Sequence, residues 1–121
     1  MKYDDNNIFA KILRGEIPCN KIYEDDYVLS FYDVNPQKKI HALIIPKGKY
    51  IDLDDFNSNA SNDEIVGLMK GITTVSKKLG ISSIDGKGYR ALANISDYGG
   101  QEVPHLHFHL FGGEKVGKMV L

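Results

Sequence analysis

Two periods of hydrophobic and polar positions run along this chain, and the switches between them mark its elements. Ile8, Phe9, Ile12 and Leu13 recur at helical spacing and predict a short helix. Asn7 stands where a side chain caps that helix, and Gly15 where the chain can leave it through left-handed geometry. Two extended runs, about residues 21–24 and 27–33, flank Asp25-Asp26, which reads as a hairpin turn. In the second run Leu29, Phe31 and Asp33 share a face, so an acid sits at the end of an apolar row. Asn35-Pro36 breaks the chain, and a β-branched run over residues 40–45 ends at Pro46-Lys47-Gly48. Residues 52–62 are polar and read as a loop with a helical turn. Ser61 and Glu64 then form a capping box for a helix with Ile65, Leu68, Met69, Ile72, Val75 and Leu79 turned to a core. Gly80 closes it. A strand over 89–94, a glycine-bearing loop over 96–101 and a last strand over 105–111 follow. Helices mixed with hairpin-connected strands predict a single α+β domain, residues 1–121, with a mainly antiparallel sheet.

Composition narrows the function classes. The chain has 121 residues, 42% of them hydrophobic and 26% charged, which suits a folded core. A net charge of −1, with both signs interspersed, supplies no basic stripe for nucleic acid and no polybasic membrane patch. A small anionic ligand stays open, because local donors can bind it. The one cysteine, Cys19, can form no disulfide within the chain and reads as a small residue near a turn. With no apolar run of signal-peptide length at the start, the expected location is cytoplasmic.

The chemistry concentrates in His105-Leu106-His107-Phe108-His109, which holds three of the four histidines. In a strand, alternate residues share a face, so the histidines are expected on one side and Leu106, Phe108 and Leu110 on the other. A solvated edge would be served as well by lysine or threonine. A zinc site needs ligands about 2.0–2.1 Å from one point, whereas the outer two residues stand roughly 13 Å apart on a straight strand. Metal binding is therefore the weaker reading. Imidazole titrates near neutrality and serves as nucleophile, acid or base, so a row of three can divide those roles at a phosphorus centre. Gly99-Gly100-Gln101 upstream reads as a turn or as a backbone cradle for anionic oxygens.

His105 to Phe111 matches the alternating histidine motif of the histidine triad (HIT) family, and the chain resembles its Hint branch, the purine nucleoside phosphoramidases. The likeness extends through Ile8-Phe9-Ala10-Lys11-Ile12, Glu16-Ile17-Pro18, Phe31-Tyr32-Asp33-Val34-Asn35-Pro36, His41 to Lys47 and Gly99 to Val103. It implies a HIT-like fold, with a five-stranded antiparallel sheet, one long helix, one short helix and a sheet continued across a homodimer. It implies that His107 attacks the α-phosphorus of a nucleoside monophosphate conjugate, forming a nucleotidyl-histidine that water resolves to AMP or GMP. His105 and His109 would polarise the phosphate and handle protons, and His41 would complete the cluster. Asp33 would bind the ribose hydroxyls. Ile8, Phe9, Ile12, Ile17, Phe31 and Val34 would surround the purine. Asn94, the Gly100 backbone and Glu102 would lie near the phosphate and leaving group. No metal or other cofactor is required by that chemistry. Tyr32 and Glu102 depart from the histidine and serine that some branch members carry. A sister-branch dinucleoside polyphosphate hydrolase, a non-catalytic purine nucleotide-binding regulator and a metal-binding module are the competing readings.

Overall fold

The computed structural model describes residues 2–119; Met1 and the last two residues of the C-terminal tail, Val120 and Leu121, lie outside the described residues. Its elements are α1 (Ile8–Leu13), β1 (Lys21–Glu24), β2 (Val28–Tyr32), β3 (Ile40–Pro46), α2 (Leu53–Asn59), α3 (Asn62–Lys78), β4 (Arg90–Leu92) and β5 (Phe108–Gly112). The strands form one antiparallel sheet in the order β1-β2-β3-β5-β4. No helix among the described residues is long and apolar enough to cross a membrane.

The caps act as the sequence requires. The Asn7 side chain accepts the Ala10 N–H, and Ser61 and Glu64 close a reciprocal capping box on α3. The polar stretch after residue 52 is a real helix, α2, where the sequence predicted only a turn. Asp52 caps it, and its Phe56 is buried in the main core.

Strand pairing sorts side chains onto two faces. Val28, Ala42, Ile44 and Leu110 share one face, and α3 covers it with Leu68, Ile72 and Val75. Each valine, leucine or isoleucine among them contributes about 1.5–3 kcal/mol when fully buried. Met69 does not join them: at 49% exposure it is turned from the sheet, so the apolar stripe is narrower than its spacing suggested.

Leu29, Phe31, Leu43 and Ile45 share the opposite face, beneath Phe9, Ile12 and Leu13 from α1. The register continues that face through Leu43↔His109 and His41↔Phe111. Six residues of helix span only about 9 Å, while a seven-residue strand such as β3 spans roughly 23 Å. α1 therefore covers one half of the face and leaves the histidine half open.

The last strand begins later than its alternation predicted. β5 starts at Phe108, so of the three clustered histidines only His109 belongs to it. Pro104 has no N–H for a ladder, and the Leu106 N–H donates to the Tyr50 carbonyl instead of a neighbouring strand. β4 likewise covers only three of the six residues expected.

Candidate active site

The open half of the sheet holds a cavity of about 440 Å³ whose walls include Phe9, Asp33, His41, Asn94, Glu102, His107 and His109. Gly100 also reaches it, as do Asn35, Gln37, Leu43 and Val103, which the sequence did not single out. β3 supplies His41, β5 supplies His109, and the approach to β5 supplies His107. Phe111 packs against both His41 and His109, at centroid distances of 4.3 and 5.7 Å.

Hydrogen bonds decide where each imidazole carries its proton. A carbonyl only accepts, so the 2.8 Å contact from His107 Nδ1 to the His105 carbonyl makes Nδ1 the protonated nitrogen. Nε2 of His107 then holds the lone pair. At His41 the order reverses, because Nδ1 accepts the Gln37 backbone N–H at 3.1 Å. Neutral His41 therefore carries its proton on Nε2 and donates to Nδ1 of His109 at 2.9 Å. Neutral His109 is left with an N–H at Nε2. Two neighbouring rings, 5.1 Å apart between centroids, thus present opposite characters: a nucleophilic lone pair on one and a donor on the other.

Burial keeps these rings neutral. Loss of solvent pushes His41, His107 and His109 below the usual imidazole value, with His109 down to about 4. The Asp33 carboxylate opposes the shift at all three but does not reverse it. Asp33 is itself held by the Asn35 N–H at 2.8 Å and lies 3.5 Å from His41 Nε2. Asp33, His41 and His109 place potential ligand atoms within 4.8 Å of one another. A cation there needs a lone pair from His41 Nε2, and the Gln37 amide has put the proton on that nitrogen. The cluster is a hydrogen-bond relay in form.

Other expected residues fall elsewhere. His105 is fully buried, outside the cavity wall. Its Nε2–H donates to the Pro46 carbonyl at 2.9 Å, and burial holds it down to about 4. It meets the site through its backbone carbonyl and not through its ring. The straight three-histidine face is thereby corrected. Ile12 and Ile17 line a second cavity of about 480 Å³ beside Cys19 and Leu29. Phe31 lies in the core under α1, in edge contact with Phe9. Ile8 is half exposed, and Val34 is 91% exposed.

The glycine loop is a turn and not a free cradle. The Gly100 N–H donates to the Asp97 carbonyl, and a Cβ on Gly99 would clash with the Ile95 carbonyl oxygen. The Gln101 amide fastens this loop by donating to the carbonyls of Ile51 and Val103. Two further residues, Tyr3 and Gln37, touch the histidines. No spacing rule points to a tyrosine 102 positions away or to a backbone amide in a loop.

Comparison with known proteins places this geometry in a family. The family model for the HIT domain matches residues 14–116. An uncharacterised 13.2 kDa HIT-like protein of Azospirillum brasilense is 48% identical over 118 residues, 98% of this chain and 94% of that one. A purine nucleoside phosphoramidase of Escherichia coli (strain K12) is 40% identical, covering 96% and 94%. A solved HIT family hydrolase from Clostridium thermocellum superposes with a TM-score of 0.84 at 37% identity, covering 98% and 99%.

The depressed histidines predict acid sensitivity. An unfolded imidazole titrates near 6.5, whereas folded His105 and His109 do so at about 4. Between those values the unfolded chain binds more protons, so these groups lower stability as pH falls through that window and have no such effect above it. The melting temperature is expected to drop from pH 6.5 toward 4, and less steeply in His109→Asn. Identical slopes in the two proteins would contradict the assignment.

Proposed function

The chain belongs to the HIT-domain family, and on that premise we propose that it is a hydrolase of nucleoside 5′-monophosphate conjugates, cleaving a P–N or related bond. One observation carries the reading: the unprotonated Nε2 of His107 stands beside the protonated Nε2 of His109 on a shared cavity. The phosphoramidase relative supports the substrate class.

In the proposed reaction the His107 Nε2 lone pair forms a bond to the α-phosphorus. The bond to the leaving amine breaks, its electron pair stays on nitrogen, and the amine takes up a proton from solvent, which the hydrolysis step returns. The His109 N–H stabilises charge on a non-bridging oxygen. Because His107 keeps its Nδ1 proton, the nucleotidyl-imidazole is cationic, and the His105 carbonyl 2.8 Å away stabilises that charge. A cationic imidazole is a good leaving group, so water can then attack phosphorus. The products are a nucleoside monophosphate, a released proton and the original neutral ring. Solvent supplies the amine's proton and the second nucleophile, this chain supplies the other groups, and no metal or other cofactor enters.

The nucleoside fits the rest of the cavity. Asp33, fixed by Asn35, is assigned to the ribose hydroxyls. Exposed Ile8 and Val34 adjoin the cavity residues Phe9 and Asp33 in sequence and are assigned to the purine, which either adenine or guanine satisfies. Asn94 and the Gly100 segment border the phosphate.

Hydrolysis of adenosine 5′-phosphoramidate, with chelator present, tests the reading. His107→Ala is expected to lower kcat by a factor on the order of 10³ or more. Wild-type inactivity with tight nucleoside monophosphate binding would favour a binding protein, and preferential turnover of a diadenosine polyphosphate would favour the sister-branch activity.

Glu102 borders the same cavity, and its charge raises the His107 pKa against the larger effect of burial. A carboxylate there favours a leaving group that carries a cation. Glu102→Ser is expected to lower the preference for cationic amine conjugates over acylated ones by up to roughly fivefold, the effect of an exposed charge pair worth at most about 1 kcal/mol. An unchanged ratio of kcat/KM values would remove Glu102 from specificity.

A further inference from the structure

We propose that Tyr3 is a positioning residue for the nucleophile: its hydroxyl locks His105, and the His105 carbonyl in turn holds His107. The catalytic consequence rests on the function proposed above, while the positioning itself can be measured without it.

His105 is the most enclosed of the histidines, and both of its ring nitrogens are committed. Its Nε2–H goes to the Pro46 carbonyl, so neutral His105 has a lone pair at Nδ1. The Tyr3 hydroxyl donates to that nitrogen at 2.6 Å, and its ring stands edge-on to the imidazole at 74°. A buried acceptor without a donor is costly, so removing the hydroxyl frees the ring to seek another arrangement. The ring and the carbonyl belong to one residue, so a rearrangement that shifts the His105 backbone loosens the carbonyl that holds Nδ1 of His107.

The segment carrying Tyr3 is tied down on several sides. Asp5 pairs with Lys49 at 2.8 Å, and Arg14 donates to the Asp5 carbonyl at 2.8 Å. The Asn7 side-chain amide donates to the Asp4 carbonyl at 2.7 Å while its oxygen caps α1. α1 then presents Phe9 edge-on to His107 at 5.0 Å. The strap thus meets the histidine pair twice, through Tyr3 at His105 and through Phe9 at His107.

Tyr3→Phe keeps the ring and removes one donor. It is expected to lower kcat for adenosine 5′-phosphoramidate roughly five- to twentyfold, with KM within about twofold and the protein still folded at 25 °C by circular dichroism. In long-range ¹H–¹⁵N spectra, His105 Nδ1 should move toward the value of an unbonded imidazole nitrogen, and the His107 Nδ1–H should exchange faster. Asp5→Ala, which cuts the Lys49 tie but spares the hydroxyl, should keep at least about half of the wild-type kcat. An unmoved His105 Nδ1 resonance, an unchanged kcat, or an equal loss in Asp5→Ala would each overturn the proposal. If wild type turns over no phosphoramidate, the function fails first. Faster His107 Nδ1–H exchange in Tyr3→Phe then supports the positioning role, and unchanged exchange overturns it.

Discussion

The hydrogen bond from His107 Nδ1–H to the His105 carbonyl is the constraint on which the site depends. It spans only two residues, yet it decides which nitrogen of His107 carries the lone pair that the proposed reaction uses. A histidine free to choose its tautomer would present a lone pair in only part of its population. This one is set by a carbonyl whose own residue is pinned at both ring nitrogens. The same logic runs in the opposite sense at His41 and His109, where the backbone amide of Gln37 starts a relay that ends in an outward N–H. Backbone groups, which do not titrate, thus assign the roles of side chains that do.

The sheet makes this arrangement available. Its second face is sealed by the seventeen residues of α3, but its first is only half covered by the six of α1. Apolar residues Leu29 and Ile45 fill the covered half, and Asp33 just past β2, His41 on β3 and His109 on the adjoining β5 follow where cover ends. The cavity is therefore enclosed enough to desolvate imidazole and open enough to admit a ligand. Burial dominates the pKa shifts, so the rings remain neutral near pH 7, the state both proposed roles require. Asp33 draws the other way, but its charge only moderates the loss of solvent.

Most of the frame was legible in the sequence because caps and periodicities agree there. Asn7, Gly15, Ser61, Glu64 and Gly80 sit at helix ends as expected, and five strands occur in the expected order. The errors have physical causes. Leu106, Phe108 and Leu110 alternate with histidines along the sequence, which mimics a strand, but Pro104 and the Tyr50 carbonyl keep residues 105–107 out of the ladder. Phe56 made a helix of a polar stretch by reaching the core, a tertiary effect that composition hides. His107, His109, His41 and Asp33 border one cavity, whereas the His105 ring lies outside it and only its carbonyl contacts His107, which no side-chain motif records. Tyr3 and Gln37 were invisible, since one contact closes across 102 residues and the other uses no side chain.

The most direct measurement is the tautomeric state of the histidines in ¹⁵N-labelled wild-type protein at pH 7, read from long-range ¹H–¹⁵N correlations. His107 is expected to be protonated at Nδ1 and His109 at Nε2, both neutral. His107 protonated at Nε2, or present as an imidazolium at that pH, would contradict this assignment.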